Sequence, residues 1–230
     1  MSRILSLDDS DDPEIVGQLG AQLAKLAKNG VQIVDGFVVP AKQKLEDGMS
    51  NEILAAFDRL GSQYVILRSS VDFLDYDTET LRNIQRNNLI DAISYLQQNN
   101  ARRGRFAAII VQRDLTAEVS GTIHSINPVT GDRKEILIEA HLWMNETILD
   151  GESEPDMIIL NKRTGAMMNE SIDQNEICLT PQQILQLHAL VRKVEDRLGE
   201  DVSIDWAFDN GALFVLRARP MDDKTIERFT

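Results

Sequence analysis

Cysteine is nearly absent: Cys178 is the only one in 230 residues. A single thiol excludes an intrachain disulfide framework and any multi-cysteine metal site. It reads as a small buried hydrophobe rather than a catalytic thiol. No apolar run, Ala107 to Val111 included, approaches the ~20 residues that a membrane-spanning helix needs. Positive charge is also scarce, with 24 Lys+Arg against 37 Asp+Glu and a net charge of −13. Clustered cations are what phosphate backbones and anionic lipids require, so the expectation is no nucleic-acid partner and no membrane partner. The stretch Met1 to Asp12 carries one Arg and then four Asp, unlike a signal peptide. A cytoplasmic protein is expected. Repeats and low-complexity linkers are missing.

What is present is an ordinary globular composition, 43% hydrophobic and 27% charged. A chain of this length buries roughly 70% of its unfolded surface on folding. Asp11-Asp12-Pro13 opens a helix whose Ile15, Val16, Leu19, Leu23 and Leu26 fall on one face, and Gly30 ends it. A strand is predicted over 31–39, stopped by Pro40, and a helix over 50–60 with Ser50 as its cap. Tyr64 to Leu67 reads as a strand delivering Arg68-Ser69-Ser70. A third helix is predicted over 81–98, and Ala107 to Val111 as a central strand. In the second half, strands over 119–126 and 135–142 flank the turn-rich Asn127-Pro-Val-Thr-Gly-Asp132. Another strand covers 157–160. Thr180-Pro181-Gln182-Gln183 is a capping box that starts a helix with a buried stripe of Ile184, Leu187, Val191, Val194 and Leu198. The expected class is α+β, in two lobes.

The terminal hairpin carries the most chemistry. Its strands, 202–208 and 212–219, flank Asp209-Asn210-Gly211. A two-residue loop in a regular ladder would mix charge with apolar bulk on both faces. A three-residue loop sorts them, with Ile204, Trp206 and Phe208 on one side and Asp205, Arg217 and Arg219 on the other. Burying a guanidinium among aliphatics would cost several kcal/mol, so the three-residue loop is expected. The polar side is either an ion pair on a solvated face or an anion site, because guanidinium forks match phosphate oxygens.

Taken in order, Gly36-Phe37-Val38-Val39, Arg68-Ser69-Ser70, Ser120-Gly121, Asn127-Pro128-Val129-Thr130-Gly131-Asp132, Ile138-Glu139-Ala140, Ile204-Asp205-Trp206-Ala207 and Leu216-Arg217-Ala218-Arg219-Pro220 resemble one family. It is the ATP-binding N-terminal domain of phosphoenolpyruvate synthase and pyruvate phosphate dikinase, to which rifampin phosphotransferase is similar. The resemblance spans about residues 13 to 221. It implies an ATP-grasp-like fold with a nucleotide cleft between two lobes, here 1–112 and 113–222, followed by a tail, 223–230. It implies ATP and Mg²⁺ as cofactors. Arg68 and Arg219 would hold phosphates as the catalytic residues, with Arg217 beside them. Gln112 would sit near the adenine, and Glu139 and Asp205 would hold the metal. A phosphoryl group would pass to a His on a separate partner protein or to a small substrate.

The chain also departs from the family. Where the family has a phosphate-contacting Lys, the stretch Gly17-Gln18-Leu19-Gly20 has Leu19. The loop after Arg68-Ser69-Ser70 lacks glycine and carries Asp72, Asp75, Asp77 and Glu79. A Gly-Leu-Gly-Glu stretch has become Trp143-Met144-Asn145-Glu146, and a Gln two residues before the last Arg has become Arg217. His124, His141 and His188 match no phosphohistidine motif and read as structural. The function is thus either an ATP-dependent phosphotransferase component, a decayed nucleotide-binding or docking module, or an acidic interaction domain without nucleotide.

Overall fold

The computed structural model describes residues 4–41, 47–71, 79–142, 155–171 and 178–221. The acidic run at 72–78, the stretch Trp143 to Glu146 and the tail at 223–230 lie outside them. The chain divides into two compact units, Met1–Leu115 and Thr116–Thr230.

The first unit is a five-stranded antiparallel sheet with helices on both faces. Its elements are β1 (Leu5–Ser6), α1 (Pro13–Lys28), β2 (Gly36–Val39), α2 (Asp47–Leu60), β3 (Val65–Ser70), β4 (Thr80–Ile84), α3 (Leu89–Arg102) and β5 (Ala108–Arg113). The sheet order is β1-β2-β5-β3-β4, so β5 is central, as its unbroken apolar run predicts. Strand alternation explains the run. Ala108 and Ile110 face α1 in a cluster with Val16, Leu23 and Val38. Ile109 and Val111 face the other way, among Phe37, Val39, Leu67, Ile93 and Leu96. Burying each of the larger of these side chains contributes roughly 1.5–3 kcal/mol.

Several boundaries differ from the expectation. The residues predicted to begin the third helix form β4 instead. Asp114 holds them there, accepting from Arg82 Nη2 at 2.7 Å and from the Asn83 N–H at 3.1 Å. Asn83 adopts φ 56°, which no helix interior permits. The first helix bends at Gly17, which has φ 70°. A Cβ there would stand 2.2 Å from the Ser70 carbonyl oxygen, so only glycine lets α1 approach the end of β3. The strand before Pro40 is limited to β2, and α2 starts three residues before Ser50.

The second unit is a six-stranded antiparallel sheet in the order β11-β10-β6-β7-β8-β9. Its strands are β6 (Val119–His124), β7 (Glu135–Leu142), β8 (Asp156–Asn161), β9 (Met167–Ser171), β10 (Val202–Asp209) and β11 (Ala212–Pro220). The unexpected β9 is an exposed edge strand. Helix α4 (Pro181–Leu198) packs against β10 and β6. Its capping box forms in both directions, with Pro181 in the first turn and Gly199 left-handed at the end. The stripe Ile184, Leu187, Val191 and Val194 is buried, as is the sheet row Ile204, Ile123, Ile138 and Ile158.

Candidate functional site

The sequence motifs acquire physical reasons here. In Arg68-Ser69-Ser70, both serines are pins. Ser69 Oγ accepts from Asn100 Nδ2 of α3 at 2.9 Å, and Ser70 Oγ accepts from the Gly20 N–H of α1 at 3.1 Å. Both serines are buried, and Arg68, one residue before them, is half-buried on the α1 face, opposite Ile110. Gln112 shares that face, diagonal to Arg68 across β3 and β5. It is fully buried and donates from Nε2 to the Val34 carbonyl at 2.9 Å. Leu19 packs against the cluster of Val38 and Ile110, as expected for an apolar side chain on the helix's inner stripe.

In the second unit, Gly121 is dictated by close approach. A Cβ on it would fall 1.8 Å from the Glu139 carbonyl oxygen, so any larger residue would force β6 and β7 apart. Asn127 organises the following loop. Its Oδ1 accepts from the N–H groups of Val129 at 2.9 Å and Thr130 at 3.3 Å, while Nδ2 donates to Glu135 at 2.7 Å. That turn delivers Glu139 on β7.

The hairpin corrects the sequence reading. Asp209 pairs with Ala212 around a two-residue turn, with Asn210 at φ 51° and Gly211 at φ 74°. These are the positive angles of a type I′ turn, which Asn-Gly favours. The mixed faces that argued against this loop are avoided by a β-bulge. The register shifts between Asp205 and Trp206, so that Trp206 pairs with Val215 but Asp205 with Arg217. Leu216 is the extra residue, and it returns Arg217 and Arg219 to the side of Asp205.

One row therefore runs across five strands: Arg217, Asp205, Thr122, Glu139 and Met157. The next row on the same face holds Arg219, Ser203, His124 and Leu137. Asp205 Oδ1 accepts from Arg219 Nη2 at 3.3 Å and from Thr122 Oγ1 at 3.2 Å, and Arg217 Nε lies 4.0 Å from Oδ2. His124 Nε2 is 3.1 Å from Glu139 Oε2. The side chains of Asp205, Arg217, Arg219 and Glu139 retain between 18% and 28% of their exposure. They are thus partly desolvated yet reachable, a setting in which charge–charge terms exceed those of a fully wet surface. Two guanidiniums, two carboxylates and a hydroxyl share this patch. The second unit so gathers Glu139, Asp205, Arg217 and Arg219, while Arg68 and Gln112 share the sheet of the first.

Sequence reasoning missed Thr122 and His124 as neighbours of the carboxylates. Their signal was the alternation of β6, which puts Ser120, Thr122 and His124 on one side, but using it requires the cross-strand register. Among the described residues, no group of three or more His, Cys, Asp or Glu is placed to enclose a metal. Two carboxylates nonetheless suit Mg²⁺, a hard cation that keeps waters and takes phosphate oxygens in place of a full protein cage. Among the described residues no helix is long and apolar enough to cross a membrane.

The fold is of the ATP-grasp type. Biotin carboxylase from Campylobacter jejuni, solved as a β,γ-ATP complex, superposes with a TM-score of 0.57 at 10% identity, over 90% of this chain and 42% of that one. D-alanine–D-alanine ligase from Bacillus anthracis, complexed with ATP, gives 0.50 at 10% identity, over 86% and 53%. Such likeness concerns the fold alone.

The motif resemblance is borne out by sequence. Residues 84–179 match the family described as pyruvate phosphate dikinase, AMP/ATP-binding domain. An uncharacterized phosphotransferase of Bacillus subtilis, YvkC, is 26% identical over 96% of this chain and 35% of its own length. Phosphoenolpyruvate synthase of Pyrococcus furiosus is 26% identical over 50% of this chain and 18% of its own. Rifampicin phosphotransferase of Bacillus subtilis is 26% identical over 56% and 18%. The chain is similar to these proteins and spans about a third or less of their length.

Proposed function

We propose that this chain binds Mg-ATP and is the nucleotide-handling part of a phosphotransferase, passing a phosphoryl group to a histidine on a partner protein or to a small substrate. The observation that carries the reading is the common face of Asp205, Arg217, Arg219 and Glu139. In this reading Arg219 and Arg68 neutralise phosphate charge as it redistributes during transfer. Arg217 adds a second cation beside Arg219. Glu139 and Asp205 would hold Mg²⁺, which would supply further positive charge against the phosphates. Gln112 borders the adenine. The divisions 1–112, 113–222 and 223–230 then correspond to two nucleotide-binding lobes and a tail. A cytoplasmic location fits, because ATP and a partner carrying the acceptor histidine would be available there.

A second reading is supported by Leu19. Its apolar side chain packs in the core cluster where the resembled family carries a phosphate-contacting Lys. Asp205 is moreover already engaged by Thr122 and Arg219. Under this reading the chain retains nucleotide binding, or only a docking role, without transfer.

Calorimetric titration with ATP, with and without Mg²⁺, tests both. Binding at roughly micromolar concentration is expected, dependent on Mg²⁺, lost in Arg219→Ala and retained in the exposed control Arg163→Ala. Absence of heat at millimolar ATP would remove both nucleotide readings. Label transfer from ATP to a histidine-bearing protein separates a transferase from a binding module.

A further inference from the structure

The face at the C-terminal end of α3 differs from the rest of this acidic chain. Between Asp91 and Asp114 the sequence contains no Asp or Glu, yet it carries Arg102, Arg103, Arg105 and Arg113. Arg102 and Arg103 are exposed. Beside them two aromatic rings face solvent, Phe106 at 62% exposure and Tyr95 at 51%. Tyr95 stands two helical turns before Arg102, on the same side of α3; its hydroxyl is engaged first by the Glu79 carboxylate, and Arg103 and Arg102 act on it more weakly.

This surface is held rigidly. The turn after α3 is closed by three backbone bonds: Arg103 N–H and Arg105 N–H each donate to the Asn100 carbonyl, and Gly104 N–H donates to that of Ala101, all at 3.0 Å. Gly104 takes φ 71° at the tip. Asn100 is itself buried, and its Nδ2 donates to Ser69 Oγ of β3 and to the Leu96 carbonyl. The arginines and the phenylalanine are therefore presented on a fixed frame, which lowers the ordering cost of binding.

Cations at a helix C-terminus favour the helix dipole, and that accounts for Arg102 and Arg103 alone. It does not account for a phenylalanine left almost two-thirds exposed beside them. Exposed aromatics with arginine are the residues enriched in the centres of protein interfaces. We propose that Arg102, Arg103 and Phe106 form the centre of a docking surface for an acidic protein segment with an apolar side chain beside its carboxylates. The segment's carboxylates would meet the guanidinium forks and its apolar side chain would cover Phe106. A nucleic acid fits less well, since a net charge of −13 repels a dense polyanion over the rest of the surface. The proposal stands apart from nucleotide binding and does not depend on it.

The test uses the full chain and a fluorescein-labelled peptide of alternating Asp, Glu and Leu, followed by fluorescence anisotropy. Saturable binding is expected, weakening as salt is raised. Arg102→Glu with Arg103→Glu should reduce affinity by roughly tenfold or more, and Phe106→Ser alone by a similar factor. Arg163→Glu, in the other unit, should leave it unchanged. All the substituted side chains are exposed, and circular dichroism melts check that each variant folds. No saturable binding, equal binding by all variants, or tighter binding of a single-stranded oligothymidylate than of the peptide would each overturn the proposal.

Discussion

At the scale of single residues, burial sets chemical behaviour. Cys178 is only partly buried, not the fully buried hydrophobe that the sequence suggests, yet burial pushes its thiol up to about 12 from its ordinary 9.0, and Asp156 adds to the effect. Asp156 also accepts from the Cys178 N–H at 2.8 Å, fixing the carboxylate beside the sulfur. The fold disfavours the thiolate, so the unfolded chain deprotonates first and this residue's contribution to stability falls as pH rises above about 9. The expected outcome is an alkylation rate by iodoacetamide that keeps climbing beyond pH 9 in the native protein and levels off in urea. A native profile that levels off with the unfolded one would contradict it. The Asp58–Arg86 pair shows the opposite sign. Arg86 hydrogen-bonds Asp58 at 2.7 and 3.0 Å and lowers its pKa. Both groups are exposed, so salt screens the effect, which is present above the ordinary carboxylate value and lost in acid.

Secondary-structure elements show which parts of the sequence were readable and which were not. Local chemistry made α4 legible: Thr180 Oγ1 accepts from the Gln183 N–H, and Gln183 Oε1 accepts from the Thr180 N–H at 2.8 Å. Replacing Thr180 by Ala should lower stability by about 1 kcal/mol, read as a shift in the urea midpoint without a change in slope. β5 was equally legible, because burial on two sides leaves an unbroken apolar run. Thr80 to Ile84 was not legible as a strand, since its conformation is imposed by Asp114 from a distant part of the chain. The hairpin was half legible. The demand that Asp205, Arg217 and Arg219 share a side was correct, but the means was a bulge at Leu216 rather than a longer turn. A bulge and a turn one residue longer shift the phase of the hydrophobic pattern equally, so the pattern alone does not tell them apart. The same holds for Thr122 and His124, whose closeness to the carboxylates depends on pairing between strands.

For the molecule as a whole, charge is the governing quantity. An excess of 13 negative charges at neutral pH keeps copies apart, and the sequence pI near 4.7 marks where that repulsion vanishes. Turbidity against pH should therefore peak close to that value and clear on either side. A maximum displaced toward neutrality would mean that the arginine surfaces dominate association. The excess also works against any polyanionic ligand, so the local pairing of Arg217 with Arg219 matters more here than it would on a basic protein.

The bend at Gly17 has a consequence for how this chain can grip an anion. Past the bend the helix resumes with its Gln18 N–H on the Val71 carbonyl at 2.6 Å and its Gly20 N–H on Ser70 Oγ. Opening amides of a helix ordinarily form a ready cradle for phosphate. Here two of them are taken up by residues at the end of β3, so the positive end of the helical segment beyond the bend serves as internal mortar.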